Sequence, residues 1–438
     1  MDITPILDKL KITSLSDMQT DVAEAFGRTS KDILILSPTG SGKTLAYLLP
    51  LVQSINVGSA DIQAVAVVPN RELAIQSDNV LRQMGTGIRS AALYGGRPAM
   101  EEHRMLRKTM PHIIFATPGR LNDHIDKQNI NPFTVKYLVI DEFDKCLEMG
   151  FLDEMAKIAM KMKGVRRKVL LSATEESDIP RFINMKNHER IDYITAGKAA
   201  SRVSVSVVRS SDKDKLNVLY RLLCRLGDDS SIVFLNYRDS VERTDKFLQE
   251  KRFSTSRLHG AMDQKEREDA LYRFSNGSAN IFVSTDLASR GLDIPDVRNI
   301  IHYHLPLNEP SYIHRVGRTA RWESDGSTFV ILGPEEHLPD YIDNATDYEE
   351  PQDELPQPSR PRMATLYIGK GKKDKISKMD VVGFLCKKCG LVGEEIGRID
   401  VKERYTYVAV KDNKIHQVIR MSKNEKIKGV KTIFEIIK

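Results

Sequence analysis

The chain has 438 residues and a mass of 49.6 kDa, a length typical of two or three domains at roughly 150 residues each. Hydrophobic residues make up 41% and charged residues 29%, which supports folded cores and excludes a chain that is disordered throughout. No apolar run reaches the length of a membrane helix, about 20 residues. Residues 1–10 lack the basic and then apolar order of a signal peptide. The 4 cysteines are too few for a disulfide framework in a chain of this length. We therefore expect a cytoplasmic protein that contacts no membrane.

Short runs of aliphatic and β-branched residues alternate with amphipathic stretches along the first 333 residues. Such runs are typical of strands buried on both faces of a parallel sheet, and the stretches between them predict helices. The predicted strands form two series, at 32–37, 64–69, 112–117, 137–141 and 168–174, then at 231–236, 254–260, 280–285, 299–305 and 327–332. We predict two α/β domains, at 1–198 and 203–334, with a hinge near 196–204.

The charge is unevenly distributed over the rest of the chain. Residues 334–359 hold 9 acidic residues, no Lys or Arg, and several prolines, which predicts an acidic linker at 335–361. Residues 360–438 hold 20 basic and 9 acidic residues. A solvated surface is one explanation, but a small basic module at 362–438 favours a polyanionic partner.

A glycine-rich segment follows the first predicted strand and precedes an apolar helical stretch. Its G-K-T end matches the phosphate-loop pattern, although Ser37 stands where glycine is usual. Glycines let backbone N–H groups surround phosphates, Lys43 reaches the β- and γ-oxygens, and the Thr44 hydroxyl can bind Mg²⁺. An ordinary strand–helix turn is the alternative. The predicted nucleotide-binding residues here are Thr39, Gly40, Ser41, Gly42, Lys43 and Thr44.

An acidic turn follows the strand predicted at 137–141. Asp141, at the strand terminus, can hold the metal, and Glu142 is placed to orient an attacking water. Alone, such a turn would be a solvated loop or a helix cap. Together with the phosphate loop, it predicts a site that binds ATP and Mg²⁺.

Asp141-Glu-Phe-Asp144 resembles the D-E-A-D signature of the DEAD-box RNA helicases, and further motifs of that family follow the family's order. These are Pro69–Leu73, Gly95–Gly96, Thr117–Arg120, Ser172–Thr174, Gln264 with Arg267, Ser284–Asp293 and His314–Arg321. The resemblance implies two RecA-like parallel-sheet domains in tandem, within a chain of the α/β class. It also implies an RNA-stimulated ATPase that unwinds short RNA duplexes locally when its two domains close.

The same resemblance implies roles for individual residues. Gln19 would read the adenine edge, Asp144 would belong to the nucleotide site, and Asp293 would contact the ribose. Ser172 and Thr174 would bond the acidic motif and couple the two domains, and His314 would bridge to that motif. Arg318 and Arg321 would act as arginine fingers. The implied RNA-contacting residues are Arg71, Gly96, Thr117, Pro118, Arg120, Gln264, Arg267, Thr285, Arg290 and Gly291.

Several residues depart from the family's pattern. Phe143 replaces alanine in the acidic motif, where we expect it to add bulk beside the metal. Asn70 replaces threonine in an RNA-facing motif, and Leu15-Ser16 replace Pro-Thr in the motif that ends at Gln19. Phe143 and the altered motif at Gln19 keep open a non-catalytic RNA clamp as an alternative function, and a DNA helicase of the same superfamily is a second alternative.

The basic module shows the order β-α-β-β-α-β, which is that of an RRM-like α+β domain. Tyr405 and Tyr407 alternate onto one face, and Tyr367 belongs to a segment that resembles the shorter RRM motif. We predict that these tyrosines stack on RNA bases; the alternative is that they pack within the protein.

The segments Gly369–Ile376 and Gly390–Asp400 resemble the C-terminal domain of the bacterial DbpA/YxiN helicases. This resemblance implies that the module anchors on a hairpin of large-subunit ribosomal RNA, through basic side chains that include Lys372, Lys373 and Lys375. It implies a role in large-subunit assembly. We expect a monomer.

Overall fold

The computed structural model describes residues 3–38, 40–96, 99–174, 179–185, 187–194, 203–286, 297–319 and 326–437. The described residues up to Ile194 form one compact unit, and those from Val203 onward form a second. Each unit is considered by itself. The predicted hinge falls largely outside the described residues.

The first unit is built on a seven-stranded parallel sheet. Its strands are β1 Asp32–Leu36, β2 Ala64–Val67, β3 Ser90–Leu93, β4 Ile113–Ala116, β5 Tyr137–Ile140, β6 Arg167–Ser172 and β7 His188–Asp192. Its helices are α1 Thr4–Leu10, α2 Asp17–Arg28, α3 Lys43–Ser54, α4 Arg71–Met84, α5 Ala99–Thr109, α6 Pro118–Asp126, α7 Phe143–Glu148 and α8 Leu152–Lys161. The strand order is β3-β4-β2-β5-β6-β1-β7.

Both faces of this sheet are buried, as the continuous apolar runs predict. Alternate residues of one strand enter different cores: Ile33 and Ile35 pack in one cluster, Leu34 and Leu36 in the other. This is the period of two expected of a strand covered on both sides.

The second unit contains another seven-stranded parallel sheet. Its strands are β8 Val203–Arg209, β9 Ser231–Leu235, β10 Thr255–Leu258, β11 Ile281–Thr285, β12 Asn299–His302, β13 Gly326–Leu332 and β14 Thr346–Asp347, in the order β10-β11-β9-β12-β13-β8-β14. The described helices are α9 Leu216–Leu226, α10 Arg238–Glu250, α11 Gln264–Ser275 and α12 Glu309–Val316. The predicted strands of the second series are thus present.

The predicted linker, 335–361, lies against this second sheet. Its strand β14 pairs with β8 at the sheet edge. Ion pairs join Arg221 to Glu350 at 2.9 Å and Arg225 to Asp353 at 2.7 Å. The acidic charge of the segment is therefore matched by arginines of the second domain.

The basic module has the predicted β-α-β-β-α-β order. Its elements are β15 Met363–Ile368, α13 Lys378–Cys389, β16 Ile396–Val401, β17 Thr406–Lys411, α14 Asp412–Ser422, the short strands β18 Lys426–Ile427 and β19 Val430–Lys431, and β20 Phe434–Ile437. The antiparallel sheet has the order β16-β17-β15-β20. One face of the sheet packs on the two helices. Leu366 and Val408 of the strands and Phe384 of α13 belong to this core. The expected fold class, two RecA-like domains and a small α+β domain, is confirmed.

Candidate nucleotide and RNA sites

Apart from Gln19, which lies on α2, the predicted site residues of the first unit lie at or after the carboxyl ends of parallel strands, where open α/β sheets bind ligands. The strand order separates them into two groups. The phosphate loop, the acidic turn and the Ser172–Thr174 motif follow β1, β5 and β6, while the predicted RNA motifs follow β2, β3 and β4. Sheet topology thus places the expected nucleotide and RNA contacts side by side.

The phosphate loop leaves β1 at Ser37 and enters α3 at Lys43. Gly40 and Gly42 have φ of 82° and 83°, a left-handed conformation that side chains disfavour, so the turn requires glycine at both. Lys43 is 8% exposed, and its Nζ donates to the carbonyl oxygens of Ser37 at 2.6 Å and Pro38 at 2.9 Å. Burial lowers the pKa of Lys43, against the charges of the acidic turn. An ammonium group is therefore held inside the loop. Thr44 lies in the first turn of α3, and Thr39 lies outside the described residues.

Gln19 reaches this loop from α2. The side chain is 3% exposed, and its Nε2 donates to the carbonyl oxygen of Gly42 at 3.3 Å. Its Oε1 accepts from the N–H of Ser16, and Ser16 accepts from the Gln19 N–H in return, which forms a capping box. The cap fixes Gln19 beside the loop.

Asp141 is a buried carboxyl group at the end of β5. It is 2% exposed; burial, with the charge of Glu142, raises the pKa of Asp141 to about 7. A cation would restore the ionised form that burial disfavours. Within the described ranges, no group of three or more His, Cys, Asp or Glu side chains could hold a metal. Mg²⁺ needs few protein ligands because it keeps waters and substrate phosphates, so Asp141 and Thr44 fit it.

Glu142 has a left-handed backbone conformation, with φ 50° and ψ 52°. The Nζ of Lys145, a side chain that is 0% exposed, lies 3.1 Å from the Glu142 Oε1. Lys145 was not predicted as a site residue, because no sequence pattern distinguishes it from a surface lysine. The structure thus shows a buried lysine paired with the carboxylate that is predicted to orient water.

Asp144 joins the acidic turn to the Ser172–Thr174 motif. Its Oδ2 accepts from the Ala173 N–H and the Thr174 hydroxyl, each at 3.1 Å. The Ser172 hydroxyl donates to the Thr174 carbonyl oxygen at 2.6 Å. Thr174 thus bonds the acidic motif as expected, whereas the Ser172 hydroxyl forms its hydrogen bonds with Thr174, within its own motif.

Phe143 does not add bulk beside the metal site. It is the first residue of α7 and is 1% exposed. Its side chain belongs to the hydrophobic cluster on one face of the first sheet. The expectation was wrong because α7 directs position 143 to the core, so this departure gives no support to a non-catalytic clamp.

The predicted RNA motifs after β2 and β3 lie together. The Asn70 side chain accepts from the Leu73 N–H at 2.9 Å and caps α4, a role in which asparagine and threonine are both favoured. Arg71 begins α4. Gly96 has φ +88°, and a Cβ there would lie 3.4 Å from Arg71 Nη1. The two motifs therefore form one surface.

The third predicted RNA motif opens α6 with Thr117 as N-cap and Pro118 in the first turn. The Arg120 Nε donates to Glu102 Oε2 at 2.6 Å, and His124 Nε2 lies 3.0 Å from the same oxygen. Glu102 is 2% exposed and also accepts from the Tyr94 N–H. Burial opposes ionisation of Glu102, but the hydrogen bonds of His124 and Arg120 prevail and lower its pKa. Glu102 lies outside every motif, and it orients Arg120.

In the second unit, Arg315 is the centre of a buried network. Its Nε and Nη2 donate to both oxygens of Asp286, at 2.6 and 2.7 Å, and Nη2 also donates to Asn236 Oδ1 at 2.8 Å. This clamp ties α12 to the end of β11, where Thr285 lies. His314 and Arg318, with predicted catalytic roles, are 4% and 3% exposed. Four predicted site residues of the second domain lie outside the described residues: Arg290, Gly291, Asp293 and Arg321.

Gln264 and Arg267 lie in the first turn of α11. Asp263 caps this helix and forms a capping box with Glu266. The Gln264 Nε2 donates to Glu268 Oε1 at 2.7 Å, and Arg267 is 8% exposed. Their predicted contacts with RNA stay a prediction.

The module carries a basic loop cluster, defined as Lys372, Lys373, Lys375, Lys402, Arg404 and Lys428. All six side chains are exposed. The N–H groups of Lys372 and Lys373 donate to the carbonyl oxygens of Lys402 and Glu403, both at 2.9 Å. Lys428 Nζ donates to the Lys375 carbonyl oxygen at 2.8 Å. Three segments that are distant in sequence thus share one basic surface.

The predicted stacking tyrosines lie on the sheet face opposite the module's helices. Tyr367 pairs with Tyr407 across β15 and β17. Tyr407 is 0% exposed, and its ring stacks on Tyr272 of α11 with centroids 4.7 Å apart. Contacts within the chain thus occupy this face.

Among the helices that the structure describes, none is long and apolar enough to cross a bilayer.

Comparisons with known proteins agree with this geometry. Residues 16–182 match the DEAD/DEAH box helicase family, residues 214–323 the helicase conserved C-terminal domain, and residues 365–436 the DbpA RNA binding domain. The ATP-dependent RNA helicase DbpA of Bacillus subtilis is 30% identical over 98% of this chain and 96% of its own length. That of Escherichia coli is 33% identical over 97% and 94%.

Solved structures share the fold of the helicase domains. Mss116p with its NTE and C-tail deleted, bound to single-stranded RNA and AMP-PNP, aligns with a TM-score of 0.68 at 26% identity, over 76% of this chain and 73% of that one. Dbp5 of S. cerevisiae, bound to RNA and ADP-BeF3, aligns with a TM-score of 0.67 at 24% identity, over 75% and 87%. The chain belongs to the DEAD-box ATP-dependent RNA helicases, which are RNA-stimulated ATPases, and it carries a DbpA-type RNA-binding domain.

Proposed function

We propose that this helicase acts as a cytoplasmic monomer on RNA of the large ribosomal subunit during subunit assembly. Its module would anchor on an RNA hairpin, and the two helicase domains would unwind a short duplex nearby. The basic loop cluster is the observation that carries this proposal. The resemblance of residues 365–436 to the DbpA RNA binding domain supports it.

The nucleotide site supports hydrolysis of ATP with Mg²⁺. Backbone N–H groups of the loop at Gly40 and Gly42, with Lys43, would bind the phosphates. Thr44 and Asp141 would hold Mg²⁺, whose charge would neutralise the developing charge on phosphate. Glu142, restrained by Lys145, would orient the attacking water.

The second domain would complete the reaction. Arg318 and Arg321 are proposed to stabilise the transition state as arginine fingers. Hydrolysis then requires domain closure, and RNA that favours closure stimulates turnover. Because coupling between two ligands is reciprocal, ATP would also strengthen RNA binding.

Turnover of ATP by the full chain, with different nucleic acids present, tests the proposal. We expect large-subunit ribosomal RNA fragments that contain hairpins to stimulate turnover far more than unrelated RNA or duplex DNA. Lys43→Ala should abolish turnover with all of them, and Lys31→Ala, an exposed lysine, should not. Equal stimulation by DNA would contradict the proposal.

Three substitutions together test the anchor. Lys372→Ala with Lys373→Ala and Lys375→Ala should remove the preference for the hairpin fragment. The matched control replaces three exposed basic residues elsewhere on the module by alanine: Lys387, Lys411 and Arg420. If both triple variants lose the preference equally, the basic loop cluster is not the anchor.

A further inference from the structure

The outer face of the module's sheet is defined here as the tyrosine face: Tyr367, Tyr405 and Tyr407. The three rings contact each other, with centroids 5.1 to 6.0 Å apart. From sequence alone, such a face could either stack on RNA bases or pack against another part of the protein. The structure provides a protein occupant.

Helix α11 of the second domain lies on the tyrosine face. The Tyr272 ring stacks on the Tyr407 ring at 4.7 Å and an interplanar angle of 26°. The Tyr405 hydroxyl donates to Glu268 and the Tyr407 hydroxyl donates to Asp269. Lys265 Nζ lies 4.9 Å from the centroid of the Tyr367 ring. Every tyrosine of the face therefore has a partner on this one helix.

Further contacts extend the interface beyond the rings. The Tyr272 hydroxyl donates to the Arg398 carbonyl oxygen on β16. Asn276 Nδ2 donates to Thr365 Oγ1 at 2.9 Å, and Thr365 Oγ1 donates to Ser278 Oγ at 2.9 Å. Buried polar groups are here hydrogen-bonded in pairs, as in a protein interior. The interface is thus specific and not a loose apposition.

This interface leaves little access for RNA. Base stacking requires an open ring face, but Tyr407 is 0% exposed and Tyr272 is 4% exposed. Glu268 and Asp269 place two carboxylates at the tyrosine hydroxyls, where a phosphate backbone would be repelled. Burial raises the pKa of both Tyr405 and Tyr407, so the phenols stay protonated as donors.

We propose that the tyrosine face is the docking surface by which the module attaches to α11, and that it stays docked when RNA binds. The first turn of α11 carries Gln264 and Arg267, the predicted RNA contacts. The module is therefore attached to the helix that is expected to contact RNA, and an RNA held by the module is presented at a set distance from it. This consequence rests on the proposed function; the docking itself does not.

Nitration of tyrosines in the full chain, with mass spectrometry of the products, tests the docking. Tyr237, 65% exposed, serves as an internal reference. Without RNA, we expect Tyr405 and Tyr407 to react at least tenfold more slowly than Tyr237, and RNA should not change this. Tyrosines that react like Tyr237 in the free protein and become protected by RNA would overturn the proposal.

Two variants of α11 give an independent test. Asp269→Arg and Tyr272→Ala should each raise the nitration rates of Tyr405 and Tyr407 at least fivefold. Glu250→Arg, at an exposed position of α10, should leave them unchanged. Hydrogen exchange of β9 and β17 amides shows that both domains remain folded. Wild-type protection in both α11 variants would overturn the proposal, even if ATP turnover and RNA binding behave as proposed.

Discussion

The Thr174 hydroxyl donates a hydrogen bond of 3.1 Å to the carboxylate of Asp144. Asp144 belongs to the acidic turn after β5, and Thr174 follows β6, the neighbouring strand in the sheet. The bond therefore connects the turn that is proposed to hold Mg²⁺ and water with the motif that the family resemblance implies couples the two domains.

Thr174→Val keeps the shape of the side chain and removes this bond. We expect the free energy of unfolding of the first domain to fall by about 1.5–3 kcal/mol, because the lost bond has a charged acceptor. Unwinding of a short duplex should fall more than ATP turnover does. Urea unfolding, monitored by hydrogen exchange of β6 amides, measures the change in the free energy of unfolding.

Thr20→Val is the control for this substitution. The Thr20 hydroxyl is exposed and donates to the Ser16 carbonyl oxygen within α2. The control should change stability by less than about 0.5 kcal/mol. A Thr174→Val protein as stable as the control would mean that the bond contributes nothing.

Nucleotide binding should depend on pH through Asp141. Since burial raises its pKa to about 7, the group is about half protonated at pH 7, and Mg²⁺ binds only the ionised form. Lowering the pH from 8 to 6 should weaken binding of Mg²⁺ with ADP about tenfold. Raising the pH above 8 should change little.

Calorimetric titrations at several pH values, on wild-type and Asp141→Asn proteins, check this. Protonation of the nucleotide affects both proteins, so the difference between their pH profiles isolates Asp141. Identical profiles for the two proteins would show that Asp141 does not titrate in this range.

Arg318→Ala should lower kcat by roughly 10³, as removal of an arginine finger does, with a small effect on KM for ATP. Arg315→Ala, three residues earlier, is the contrast. Arg315 is buried against Asp286, so its removal should destabilise the second domain by about 3–5 kcal/mol. Single-turnover hydrolysis and urea unfolding separate the two effects. A kcat within threefold of wild type would remove Arg318 from the mechanism.

Local patterns predicted ten of the fourteen described strands of the two parallel sheets, missing β3, β7, β8 and β14, and they predicted the phosphate loop, the acidic turn and the order of elements in the module. These features depend on periodicity, glycine and short spacing, which a sequence displays directly. Three features could not be predicted in this way: the core position of Phe143, the Glu102 contact with Arg120, and the cover on Tyr407. Each depends on which distant segment packs opposite, such as Tyr272 against Tyr407, and no periodicity records that choice.

RNA binding by the module should become less sensitive to salt when the basic loop cluster loses charge. For single-stranded RNA, log K falls with log salt at a slope of about −0.7 per phosphate contact. If Lys372, Lys373 and Lys375 each contact one phosphate, replacing all three by alanine should reduce the slope by roughly 2.

The control triple, at Lys387, Lys411 and Arg420, removes the same net charge from other positions of the module. Its slope should stay close to that of the wild type, because long-range attraction alone is screened beyond about 8–10 Å. Filter-binding titrations of the full chain between 50 and 300 mM salt provide the slopes. Equal slopes for the two triple variants would show that the module attracts RNA by its overall charge and not through this loop.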